Sequence, residues 1–135
     1  MATKLTVTGY EGVPRARPGA ELARLMIAAM KAGKTTPAAG DIVVVAQKIV
    51  SKAEGRFLDL STLEPSAKAR ELARKTDKDP RQVEAILRES NEVVRSRPGV
   101  IVVEHRLGLV LANAGIDRSN VEGSNAGDTV LLLPE

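Results

Sequence analysis

Two stretches carry side chains suited to an anionic substrate. Residues 40–56 read GDIVVVAQKIVSKAEGR, an apolar run that ends in Gln47, Lys48, Lys52 and Arg56. If the chain turns helical after Gln47, Lys48 and Lys52 fall four apart on one face. Two ammonium groups beside a helix start suit a phosphate. From spacing alone, a pair of solvated surface lysines is the simpler reading. Arg56 either extends the basic patch or pairs with Glu54.

The second stretch, ANAGIDRSN, spans residues 112–120. Gly115 permits close backbone approach. Asp117 supplies a hard carboxylate suited to Mg2+ or Mn2+. Asn113 and Asn120 offer amides to a base, a ribose or a phosphate water shell. These residue types are also ordinary turn formers. One carboxylate is not a metal site, and a second protein ligand must come from elsewhere.

Other chemistries are disfavoured. There are no cysteines, which removes disulfides, thiolate zinc sites and cysteine catalysis. The glycine-rich GSNAGDT lacks the lysine of a P-loop. No serine-centred nucleophile elbow occurs. His105, the only histidine, reads as a solvent-exposed turn residue between two strands.

Ordered elements must position these groups. Residues 5–8 alternate and read as a first strand. A loop with Pro14, Pro18 and Gly19 follows. Leu22, Leu25, Met26 and Ala29 predict a helix over about 20–32, with Gly33 at its C-terminal end. Residues 42–45 are apolar without alternation, so they predict a central strand covered on both faces. A short strand is expected at 57–60. Residues 65–75 form one helix, with Ala69, Leu72 and Ala73 inward. A second helix opens with Asp79 as N-cap and Pro80 at its first position, burying Val83, Ile86 and Leu87. Strands at 93–96, 100–104 and 109–112 predict an antiparallel hairpin. A final strand spans 129–133. The expected class is α+β: a mixed sheet with a hairpin and three main helices, in a single domain over 1–135.

Composition narrows the class. The 135 residues are 43% hydrophobic and 27% charged, the balance of a globular chain. Tyr10 and Phe57 are the only aromatics, so base stacking on aromatic side chains has little to work with. The net charge of +3 is small, and acids are interspersed with bases. That balance argues against a nucleic-acid stripe. No apolar run reaches the about 20 residues of a membrane span, and the N-terminus has no signal-peptide core. No nucleic-acid or membrane partner is expected, and a cytoplasmic location is.

GDIVVVAQKIVSKAEGR and HRLGLVLANAGIDRSNVEGS, joined by the paired helices and followed by LLLPE, closely resemble the coenzyme F420-0:L-glutamate ligases, the gamma-glutamyl ligases of the deazaflavin coenzyme. The resemblance covers essentially the whole chain. It implies ligation of L-glutamate to the F420 precursor, using GTP as co-substrate and Mg2+ or Mn2+, with K+ as an additional candidate ion. Later glutamates are joined through gamma-carboxyls. An acyl phosphate on the acceptor, attacked by the glutamate amine, is the implied course. Such chemistry asks for positioning and charge neutralisation, not for a protein nucleophile. No catalytic residue is assigned.

By position, the resemblance makes Val13, Pro14, Arg15 and Ala16 nucleotide contacts. It does the same for Gln47, Lys48, Lys52 and Asn120. Asp117 becomes a metal ligand. Many family members have Ser or Thr near position 47, so Gln47 departs from the pattern. Family ligase domains are roughly twice as long. The chain is therefore expected to be the N-terminal half of a longer ligase domain, with little ligase activity alone. The alternative is an incomplete nucleotide-binding or interaction fragment that needs a second segment. Expected partners are GTP, L-glutamate, the F420 precursor, a missing C-terminal half and a second copy in a homodimer.

Overall fold

A computed structural model describes residues 4–118 and 127–135. Helix α1 (Leu22–Ala32) matches the predicted apolar spacing, and the Gly33 N–H donates to the Ala29 carbonyl at 2.9 Å. A short helix, α2 (Gln47–Ala53), follows the apolar run. Helices α3 (Ala67–Thr76) and α4 (Pro80–Arg88) have side-chain caps. Ser66 Oγ accepts from the Ala69 N–H at 3.2 Å, and Asp79 Oδ1 accepts from the Arg81 N–H at 2.8 Å. Each cap satisfies a donor that the first helical turn leaves open.

Strands β2 (Ser90–Arg97), β3 (Val100–His105) and β4 (Val110–Ala112) form an antiparallel sheet in that order. Val93 sits opposite Val103, and Val103 opposite Leu111. Strand alternation turns Ile101, Val103 and His105 to the buried face. Ile101 and Val103 pack with Ala69 and Ala73 of α3 and with Val83 and Ile86 of α4. Strand β1 (Phe57–Asp59) pairs antiparallel with β5 (Thr129–Leu131), Phe57 opposite Leu131. A second core lies here: Leu60, Leu63, Ala85, Val130 and Leu132. Ile116 packs against both cores. Among the described residues, three longer helices, one short helix, the hairpin-based sheet and the β1–β5 pair make an α+β architecture, the class that the sequence predicts.

The apolar stretches before α2 differ from expectation. Residues 5–8 and 42–45 form no strand. Leu5 and Val7 are each 85% exposed, Ile42 is 87% and Val44 is 89%. A strand exists only through a neighbour that completes its hydrogen bonds, and no described strand pairs with either segment.

His105 also differs. It is fully buried, not exposed at a turn. Its Nδ1 accepts from the Leu107 N–H at 3.0 Å, and Nε2 faces Glu89 Oε2 at 3.5 Å. An accepting Nδ1 places the proton of the neutral ring on Nε2. The cause is register: β3 extends through residue 105, and alternation carries the ring inward with Ile101 and Val103.

Candidate functional site: a lysine and a carboxylate beside the β1–β5 ladder

Helix α2 positions the lysines. Its first residue is Gln47, and Lys48 and Lys52 lie four residues apart, on one face as the spacing predicts. Ser51, between them in sequence, is fully buried. Gln47 Nε2 donates to Ser51 Oγ at 2.6 Å. One amide proton of Gln47 therefore serves the helix itself.

The turn at 113–117 positions the carboxylate. Asn113, Ala114 and Gly115 have φ of 51°, 52° and 65°, three successive left-handed residues. Such a run curls the backbone tightly. The Asn113 side chain helps to fix it: Oδ1 accepts from the Ile101 N–H at 3.1 Å. That oxygen, expected at a ligand, is bound to β3. Beyond the turn, Asp117 and Leu131 exchange two backbone bonds, 2.9 Å one way and 2.8 Å the other. Leu131 sits opposite Phe57 of β1 as well. Asp117 is thus clamped beside β5, and β5 beside β1, the strand that follows α2.

This chain of pairings brings the two stretches together. Lys48 Nζ lies 3.3 Å from Asp117 Oδ2. The pair is partly exposed, with 36% of the lysine side chain and 27% of the aspartate side chain open. The loop before α1 also closes on this end of the molecule. The Gly19 N–H donates to the Ala53 carbonyl at 2.8 Å, one residue beyond Lys52. Within that loop Ala16 is buried, whereas Val13, Pro14 and Arg15 are exposed. Asn120 lies outside the described residues.

Arg56 is placed otherwise than the sequence suggests. It pairs with Glu89 through Nη2 at 2.9 Å and with Glu135 through Nη1 at 2.8 Å. Its Nε donates to the Leu133 carbonyl at 2.9 Å. Glu54, the expected partner, accepts from the Glu135 N–H instead. Arg106 joins both carboxylates, at 3.2 Å to Glu89 and 2.9 Å to Glu135. Glu135, then Glu89, hold the Arg106 guanidinium above its ordinary pKa. Arg56, just before β1, and Arg106, just after β3, therefore tie Leu133 and Glu135 to these parts of the fold and to Glu89. No local spacing signals this network, since its members come from distant parts of the chain.

Chemically, the site offers a hard carboxylate facing a cation, with a second lysine one helical turn away. Asp117 fits Mg2+ or Mn2+ as one ligand of a shell that substrate phosphate oxygens help to fill. Among the described residues no group of three acidic, histidine or cysteine side chains forms that could hold a metal.

The sequence model of the family described as F420-0:Gamma-glutamyl ligase matches residues 12–135. The chain is 47% identical over 118 residues to the coenzyme F420:L-glutamate ligase of Methanothermobacter thermautotrophicus, covering 87% of this chain and 47% of that protein. It is 43% identical over 121 residues to the enzyme of that name from Methanopyrus kandleri, covering 90% and 44%. It is 37% identical over 131 residues to that of Archaeoglobus fulgidus, covering 97% and 48%. The chain spans about half the length of these relatives.

Proposed function

This chain belongs to the F420-0:gamma-glutamyl ligase family, and we propose on that premise that it takes part in joining L-glutamate to the coenzyme F420 precursor, with GTP and a divalent metal. The meeting of Lys48 and Asp117 supports this reading most directly. Two groups assigned separately, one to phosphate and one to metal, lie within an ion-pair distance.

The proposed chemistry has two displacements. An oxygen of the acceptor carboxylate attacks the γ-phosphorus of GTP, and GDP leaves. The amine of glutamate then attacks the acyl carbon; the amide bond forms as the acyl C–O bond breaks, and phosphate departs with the proton lost from the amine. Lys48 and Lys52 neutralise phosphate charge during the first step. Val13, Pro14, Arg15 and Ala16 line the nucleotide from the loop side, with Gln47 at the start of α2 and Asn120 as a further contact. Asp117 would hold Mg2+ or Mn2+, which offsets charge on the phosphates. Positioning and electrostatics account for the rate, with no protein nucleophile.

A second reading is a nucleotide-binding portion completed by another segment; it is supported by the chain's spanning about half the length of these relatives. Exposure of Ile42 and Val44 gives that segment, or a second copy in a homodimer, an apolar edge to cover.

The test combines the chain with GTP, Mg2+, L-glutamate and the F420 precursor, alone and mixed with the C-terminal half of the Methanothermobacter relative. Mass spectrometry reads the glutamylated product. Product from the chain alone supports the first reading; product only from the mixture supports the second. Neither product nor GTP binding in both samples rejects the assignment.

A further inference from the structure

We propose that Lys48 is a built-in counter-ion of Asp117, one that a divalent cation must displace before it can bind there. This rests on the reading of Asp117 as a metal ligand. The ammonium sits 3.3 Å from Oδ2. A metal bound to that oxygen at about 2 Å would face the ammonium across a distance at which two cations repel strongly. One of them must leave.

The structure favours departure of the lysine. The Asp117 backbone is fixed by two hydrogen bonds to Leu131, so the carboxylate has little freedom to retreat. Lys48 projects from α2 on a flexible four-carbon stem. The pair is partly open to water, and such ion pairs are weak enough to break reversibly. A phosphate nearby gives the freed ammonium an anion to join. Metal and phosphate binding then become coupled, each easing the other by removing Lys48 from Asp117. The site discriminates against a bare metal ion and favours a metal that arrives with its nucleotide.

Two readouts without turnover test this. Mn2+ binding to the chain, followed by electron paramagnetic resonance without nucleotide, is compared for the wild type, Lys48→Gln and Asp117→Asn. Lys48→Gln is expected to tighten Mn2+ binding about fivefold, the ratio to which an exposed ion pair of about 1 kcal/mol converts. Asp117→Asn is expected to weaken it. In the wild type, Mn2+ is expected to raise the rate at which Lys48 is acetylated, read by mass spectrometry. That arm depends on no variant folding. Unchanged or weaker Mn2+ binding in Lys48→Gln, or acetylation that ignores Mn2+, overturns the proposal; if Asp117→Asn still weakens binding, the ligand reading survives it. If Asp117→Asn leaves Mn2+ binding unchanged, the ligand reading falls first and this proposal with it.

Discussion

Gly115 lies against Leu133 so closely that a β-carbon on it would meet Leu133 Cδ2 at 2.8 Å and Cγ at 2.9 Å. Its φ of 65° is one that side chains rarely adopt. Steric need and backbone need coincide at one residue, two positions before the candidate metal ligand.

Gly115→Ala is therefore expected to destabilise the chain by about 1–3 kcal/mol, from left-handed strain plus displacement of Leu133. Urea unfolding reads the change. An unaltered midpoint would mean that the turn relaxes freely, and the rigid placement of Asp117 would lose its support.

Arg56 is expected to matter for stability, not for phosphate. Each of its three guanidinium nitrogens donates, to the Leu133 carbonyl, Glu135 and Glu89, and only 17% of its side chain is open. Arg56→Ala should cost about 2–4 kcal/mol, because Glu89 is left half-buried with fewer partners. Arg56→Lys should recover little, since an ammonium cannot form the fork. Thermal unfolding of both variants checks this; full recovery by lysine would contradict the geometry.

Glu84 should make the fold acid-sensitive. Its carboxylate accepts from the Ser66 N–H at 2.9 Å and from Arg88 Nε at 3.1 Å. The Ser66 backbone bond, more than the other contacts, lowers its pKa. A carboxyl whose folded pKa lies below its unfolded value stabilises fully above the unfolded value, about 4.3. That contribution fades as pH falls below about 4.3 and through the lower folded pKa. Glu84→Gln should lose about 1–2 kcal/mol at neutral pH and show a flatter decline of stability in acid. Denaturant midpoints from neutral pH to pH 3 compare the two proteins, and parallel curves would refute the linkage.

Much of the local structure was legible because local physics decides it. Apolar residues at helical spacing marked α1, α3 and α4, and Asp79 with Pro80 marked the start of α4 to the residue. The hairpin of β2 and β3 followed from two strand-like runs parted by Arg97, Pro98 and Gly99. Asn113 read as a ligand amide or a turn residue, and its bond to the Ile101 N–H was not legible because it spans two elements.

Other features depended on partners remote in sequence. Apolar residues 42–45 read as a buried strand, yet burial needs a neighbour that composition cannot supply. His105 looked like a turn residue, and a one-residue extension of β3 turned it inward. Arg56 looked available to a ligand until the fold brought Glu89 and Glu135 to it. The sequence by itself determined which residues could meet a phosphate or a metal, because side-chain chemistry is intrinsic. Only the tertiary structure decided that Lys48 meets Asp117, because that distance is set by β-ladder pairings among β1, β5 and residue 117, and hydrogen-bond register between distant segments is a property of the folded whole.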